Sequence, residues 1–466
     1  MSSRDQTVSQ RIAEFIQRTS PGKIPAAVCE IAKLHLLDGL ATMLGGALEE
    51  SAQLIRSHYL KLRGKPEASV LGTAVRLPAE QAALINGVQG HVLDYDDAQL
   101  TSLGSRPMGQ QAHPTSPVLA ALLAVAESQH AGGSALLASY IVGVEVACRL
   151  GDAIDPSHYL DGFHPTGTLG AFGATAACAH LLQLTPAQTR HALGIAGTLS
   201  SGLRANRGTM AKGLNAGHAA RNGVLAAQLA ANGFTASENI FDDPMGFFSA
   251  ACGNRVERDL LRFGKPFYFT TPGVAIKLYP CAGVLHPALD VVLDLRQRHK
   301  LTESMIDHIE VTLDPDAALP LVYHRPKDAL QTKFSLNFAV AAAMIDGVAG
   351  LKQFHADRLR NEKLQSLMRR TKLIRRARAK RRDQPGIETE VTIAFKSGMI
   401  HRGQARIAGG HPSLPLSRAE IEDKFCQCAE AVLSRRQYQC FLKTFWELEG
   451  VDRISTWLRP LRQTRR

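Results

Sequence analysis

Three His-Pro pairs and one lysine are the residues of this chain best placed to do chemistry together. His113-Pro114 precedes Ser116-Pro117 and the apolar run VLAALLAVAE, His164-Pro165 precedes Thr166 and a second apolar run, and His286-Pro287 opens ALDVVLDL. Proline suits the first helical turn, where its absent N–H is not missed. Each pair therefore predicts a histidine at or just before a helix N-terminus. That end carries unpaired N–H groups and partial positive charge, which attract anions. The same field lowers the pKa of a nearby imidazole and favours its neutral, base-competent form. Lys212 precedes a fourth helix start in GTMAKGLNAGHAARNG. A small anion reaching all four would meet imidazoles, an ammonium and backbone amides. Capping or core packing accounts for any one of these histidines alone, and a further pair, His411-Pro412, leads only into the loop-like SLPLS.

Acidic residues cluster once, as Asp94, Asp96 and Asp97 in GHVLDYDD. Three carboxylates this close require solvent, cations or a part in proton transfer; taken alone, a magnesium site or a helix cap fits equally well. In SGLRANRG, Arg204 and Arg207 offer two guanidinium forks between glycines, suited to gripping carboxylates or phosphates. No GxGxxG follows a strand and no GxxxxGK[ST] occurs, so neither a dinucleotide nor a nucleoside triphosphate is indicated. GxSxG and HExxH are absent too. The eight cysteines include no CxxC, and Cys426 with Cys428 lacks a zinc-type partner pair, which points to free thiols in a reducing cytosol. The chemistry implied is acid–base work on an anion, with no cofactor and no metal.

The elements that must position these groups are mostly helices. A length of 466 residues with 45% apolar content suits two or three domains at roughly 150 residues each. Leu34, Leu37, Leu40, Ala41 and Leu44 repeat at helical spacing, as do Leu119, Leu122, Leu123 and Ala126. Ala-rich stretches follow at 134–149, 168–182, 187–199 and 214–231. Beyond the Phe-, Gly- and Pro-rich segment 263–273, Ile309, Val311 and Leu313 alternate with polar residues, as do Val391, Ile393 and Phe395; both read as strands. Lys396-Ser397-Gly398 reads as a hairpin turn, and helical stretches at 335–347 and 356–370 lie between the strands. The fold class is mainly α: an all-α helical domain at 1–266, completed by 413–466, with an inserted smaller α+β domain at 267–412. A cleft between two such domains is a usual place for a small-molecule site.

The 54 Lys and Arg against 42 Asp and Glu owe nine cations to the run RRTKLIRRARAKRR at 369–382, and the rest of the chain carries a small excess. Such a run reads as a solvated helix face or loop, and no aromatic interrupts it to stack on bases. Nucleic acid is not an expected partner. The N-terminus lacks the apolar centre of a signal peptide, and the apolar stretch 167–184 resembles a core helix, so a cytoplasmic protein without a membrane span is expected.

The chain resembles the MmgE/PrpD family. The resemblance rests on GHVLDYDD with HPTSPVLAALLAVAE, then GFHPTGTLGAFGATAACAHLL, SGLRANRGTMAKGLNAGHAARNG, AIKLYPCAGVLHPALD and KFSLNFAVAAAMIDG, in the family's order. It implies a helical domain with a smaller α+β lid domain, a homodimer, and a cofactor-independent reaction that makes or quenches a carbanion beside a carboxylate. Carried over by position, it places Asp94, His113, His164, Lys212, Lys277 and His286 around the active-site cleft. On this reading His113 or His164 exchanges the carbon-bound proton, and Lys212 stabilises the charge that develops. Asp94 orients a histidine or protonates a departing hydroxyl, and Lys277 and His286 close over the substrate. Arg204 and Arg207 grip carboxylates. Ala98 stands where the family often has Thr, Leu285 replaces another Thr, and the segment between Asp97 and His113 is long, with Gly104, Pro107 and Gly109. The leading expectation is a dehydratase, a carbon–oxygen lyase, acting on a 2-methylcitrate-like di- or tricarboxylic acid. The alternatives are an epimerase or decarboxylase on a related acid, or a non-catalytic protein that uses the basic run.

Overall fold

Alanine and leucine dominate the first half of the chain with few β-branched residues, a composition that favours helix. Polar residues fix several helix starts: Thr7, Thr185, Ser417 and Ser434 each accept from the backbone three residues on, and the side chain there reaches back. The computed structural model describes residues 6–103, 109–376 and 386–463. Gly104, Pro107 and the end of the basic run lie outside them.

The longer helices of the first part are α1 (Val8–Arg18), α2 (Ala26–Gly45), α3 (Glu50–Leu62), α4 (Ala79–Val92), α5 (Thr115–Ser128), α6 (Gly133–Ala153), α7 (Pro165–Leu181), α8 (Pro186–Leu199) and α9 (Met210–Ala231). A two-stranded antiparallel ribbon, β1 (Ala68–Ser69) with β2 (Arg76–Leu77), interrupts them. Helix α6 has the length and apolarity to cross a membrane, and most of its residues are buried against other elements of the fold.

Then come α10 (His286–His299), β3 (Ile306–Leu313), α11 (Leu336–Asp346), α12 (Glu362–Arg369), β4 (Thr371–Arg375), β5 (Thr389–Phe395) and β6 (Ile400–Ala405). The chain ends with α13 (Arg418–Ala429) and α14 (Arg435–Phe445), followed by short helical turns. The strands form one sheet in the order β4-β3-β5-β6. β3 and β5 are antiparallel with Val311 opposite Val391, and β5 and β6 form the expected hairpin around Gly398. The alternating Ile309, Val311 and Leu313 are fully buried.

The start of the basic run corrects the sequence reading. It forms β4, an edge strand parallel to β3, rather than a helix face or loop. Three of its five described cations meet the chain's own acids: Arg370 on Glu303 at 2.7 Å, Lys372 on Glu310 at 3.9 Å, and Arg376 on Glu388.

Two apolar cores result. One takes residues from Val8 to Ile276 and resumes at Leu416; the other takes Tyr279 to Phe395. Tyr268, Phe269, Val274 and Ile276 still pack into the first core, so the change of core falls at Lys277 rather than at 266. Lys277 is one of the residues that the family resemblance sets around the cleft.

Candidate active site

Asp94 follows the last turn of α4 at a φ of 52°, a left-handed conformation that aspartate tolerates better than most residues, and its carboxylate has buried surroundings. Those surroundings are cationic. Lys212, in the first turn of α9, lies 2.8 Å from Oδ1, and Lys277 lies 3.2 Å from Oδ2. Lys277 also donates to the Asp94 backbone carbonyl at 3.0 Å. Burial alone would raise the Asp94 pKa, but Lys212, Lys277 and His113 outweigh it and hold the group well below the carboxylate range. Burial lowers the Lys212 pKa; Asp94 restores part of it and Lys277 repels, so its proton is held less tightly than in water.

Asp96 serves two imidazoles. Its Oδ2 lies 2.9 Å from His91 Nδ1 and accepts from Ser116 at 2.7 Å, while Oδ1 lies 3.2 Å from His113 Nδ1. Burial pushes its pKa up, but His113 and His91 hold it well down. His91 completes a chain: its Nε2 is 2.8 Å from the Lys212 ammonium. Burial, with Lys212 and His113 against it, brings His91 down to about 4 despite the opposing pull of Asp96. It is therefore neutral at pH 7, donating to Asp96 and accepting from Lys212. Asp97 turns the other way, accepting from Thr115 Oγ1 at 2.6 Å and facing His35 Nδ1 of α2 at 2.9 Å. All three carboxylates are buried, and each has its own partners.

His164 caps α7, with Pro165 in the first turn. Its backbone N–H donates to Gly202 O at 3.0 Å, and the Arg204 N–H donates to Gly162 O at 2.9 Å. This pairing brings the arginine loop alongside the histidine. The Asn215 side chain lies 3.0 Å from His164 Nδ1. Burial first, then the charges of Lys212, His91 and His113, hold the His164 pKa well below its usual value. The direction matches the helix-end argument, but burial is its main cause. Arg204 stacks 3.5 Å from the centre of the Tyr159 ring, and its buried Nε has no hydrogen-bond partner among the described residues. Arg207 donates to Leu319 O at 2.9 Å, across to the second core.

Asp94, His113, His164, Arg204, Arg207, Lys212 and Lys277 line one cavity, together with Tyr159, Ala98 and Phe334. His286 does not. It lies behind Lys277, beside a separate cavity lined by Leu100, Ile387 and His411. Nine residues along the chain from Lys277, and on the first turn of α10, it faces the other side of that wall. Burial, with Lys277, brings it down to about 3. His91, Asp96 and His113 are a group of three donors close enough to share a metal ion. Both Nδ1 atoms already face Asp96, however, and an ammonium occupies the far nitrogen of His91. We read the group as one carboxylate that hydrogen-bonds His91 and lies within ion-pair distance of His113.

Sequence comparison now decides the lineage. The MmgE/PrpD N-terminal domain family matches residues 10–258, and the MmgE/PrpD C-terminal domain family matches residues 279–449. The chain belongs to the MmgE/PrpD family. Human cis-aconitate decarboxylase is 26% identical over 96% of this chain and 93% of its own length. The cis-aconitate decarboxylase-like protein oryM of Aspergillus oryzae is 27% identical over 96% of each, and the cis-aconitate decarboxylase of Aspergillus terreus is 28% identical over 74% of each.

The departures from the MmgE/PrpD pattern have distinct places. Ala98 pairs with Ala275 through two backbone hydrogen bonds of 2.8 and 3.0 Å and presents a methyl group to the cavity. Leu285 is wholly buried in the second core. Sequence reasoning missed His91, although it stands inside the quoted GHVLDYDD. Its spacing of five from Asp96, across the end of α4, was the available signal.

Proposed function

We propose that the chain is a lyase that decarboxylates a cis-aconitate-like tricarboxylic acid without a cofactor. The observation that carries this reading is the charge around one cavity: Arg204, Arg207, Lys212 and Lys277 against the single lining carboxylate, Asp94. Such an excess suits a polyanion, and buried cations stabilise developing negative charge better than water does. In the step proposed, the bond from one carboxylate carbon to its neighbour breaks and carbon dioxide leaves. The electron pair remains on the neighbouring carbon, delocalised toward the rest of the acid. The Lys212 ammonium, loosened by burial, delivers one proton to the carbon skeleton and regains it from solvent. His91 and Asp96 orient Lys212, and neutral His164 lies beside the reacting centre. The names of the relatives support the same substrate class.

Dehydration, the leading expectation from sequence, needs an acid for the departing hydroxyl. On the family resemblance Asp94 either orients a histidine or supplies that proton, and two ammonium groups keep it ionised. Decarboxylation needs one proton at carbon, which Lys212 supplies, and a departing hydroxyl would have to draw on the same lysine. The cavity measures about 40 Å³, room for a few waters. Arg207, which lines it, donates to Leu319 O, next to Pro320, which lines it too.

Trapped carbon dioxide and ¹³C NMR, with cis-aconitate, 2-methylcitrate and iminodisuccinate supplied in turn, test the proposal. Carbon dioxide released in step with loss of cis-aconitate is the expected result. Loss of water with every carboxylate retained replaces this reading with a hydro-lyase. Solvent deuterium uptake with inversion of one centre replaces it with an epimerase.

A further inference from the structure

The C-terminal helices return from the second core and set one lysine beneath the site. Lys424, on α13, is buried, and its ammonium pairs with Asp38 of α2 at 2.5 Å. It donates to the backbone carbonyls of Tyr95 and Lys277, each at 2.8 Å, and lies 3.7 Å from the centre of the Tyr95 ring. Asp38 is fully buried, and no other donor reaches its carboxylate among the described residues. A buried ion pair is a poor device for stability, since apolar residues of equal volume often do as well. Its two carbonyl partners suggest another purpose. One belongs to the residue after Asp94, and the other to Lys277 itself.

We propose that Lys424, held by Asp38, is a positioning residue that fixes the distance between Asp94 and Lys277 and thereby the seat of the substrate carboxylate. The proposal rests on the functional reading above. Asp94 sits at a left-handed position two residues past the end of α4. Lys277 grips it from within the cavity through the Asp94 carbonyl, and Lys424 grips both segments from below. Tyr95 adds a further tie, its hydroxyl donating to Leu278 O at 3.2 Å. Without Lys424, two carbonyls lose a shared buried donor, and the segments carrying the ion pair are free to drift apart.

Lys424→Met alone strands a buried carboxylate and endangers folding, so the informative variant is Lys424→Met with Asp38→Asn. Asp38→Asn alone leaves the buried Lys424 ammonium without its counter-ion and is expected to lower Tm, but it keeps both carbonyl bonds in place. Below its unfolding temperature the double variant is expected to lose about 10- to 100-fold in kcat, as displacement of reacting groups by roughly 1 Å does. KM should change far less, and Asp38→Asn should lose less kcat than the double variant. A crystal structure of the double variant should show Lys277 Nζ withdrawn from the Asp94 carbonyl. Unchanged kcat with only a lower Tm, or unchanged placement of Asp94 and Lys277, overturns the proposal. If the wild-type protein turns over no polycarboxylate, the functional reading has failed instead, and the crystal structure alone decides whether Lys424 positions the pair.

Discussion

Asp94, Asp96 and Asp97 stand within four residues, and their buried partners divide them into three separate tasks. Asp94 faces the cavity between two lysines, Asp96 orients His91 and His113, and Asp97 ties the loop to α2 and α5. The first two tasks bear directly on rate. Lys212→Ala removes the proposed proton donor and one of the two cations on Asp94. It should lower kcat by about 10²-fold or more, the usual cost of losing a charge stabiliser or general acid. His164→Ala should act similarly. Circular dichroism and Tm should stay near wild type for His164→Ala, whose loss leaves no charged group unpaired. Asp96→Asn is predicted to behave differently. It weakens the hold on both imidazoles at once and should cost about 1–3 kcal/mol in urea unfolding as well as activity. Full activity on the true substrate in both Lys212→Ala and His164→Ala would remove these residues from the site.

At the scale of elements, the site depends on how closely α4 and α9 approach, because His91 ends the first and Lys212 begins the second. The two helices meet through glycine. A Cβ built on Gly217 would stand 2.5 Å from Leu84 O and 2.7 Å from a Val88 methyl, and one on Gly87 would stand 2.8 Å from Gly217 Cα. Gly217→Ala must therefore push backbone apart, at a cost of about 1–3 kcal/mol. The displacement reaches the His91–Lys212 contact, so kcat should fall while KM changes little, measured by steady-state kinetics beside thermal unfolding. These helices were readable from the chain because small and apolar residues recur at helical spacing and prolines mark the starts; His113, His164 and His286 each stand at or just before a helix start, as expected. β4 was not readable. Its pairing with β3 bridges some sixty residues, and its lysine and arginine masked the strand pattern. Asp38 and Lys424 were hidden for a related reason: each lies inside a helix, and only long-range folding shows that they meet. The place of His286, beside the adjoining cavity, was hidden too, since chain spacing gives distance from Lys277 but not the side of the wall.

For the whole molecule, the buried histidines set the response to acid. His91, His158, His164, His180, His218, His286 and His411 all have pKa values lowered first by burial, to about 4 for His91 and about 3 for His286. In the unfolded chain each titrates near 6.5. At pH 8 neither state binds these protons and the histidines leave stability unchanged. As pH falls through 6.5 the unfolded chain takes up protons that the folded chain refuses, so stability drops. The loss continues for each residue until its folded pKa is reached. Asp38 acts in the opposite sense. Burial outweighs Lys424 and raises it to about 6, so below that pH the folded state binds a proton that the unfolded carboxylate declines until near 4. Tm should therefore begin to fall between pH 7 and 6 and fall more steeply between 6 and 5, where the unfolded imidazoles are nearly all charged and Asp38 offsets at most one of their protons. Calorimetry in buffers of differing ionisation enthalpy should find net proton uptake on unfolding at pH 6. Asp38→Asn, which removes the offset, should make the decline between pH 6 and 5 steeper than in wild type. A Tm that is flat from pH 7.5 to 6, or net proton release on unfolding at pH 6, would mean that these imidazoles are already charged inside the fold.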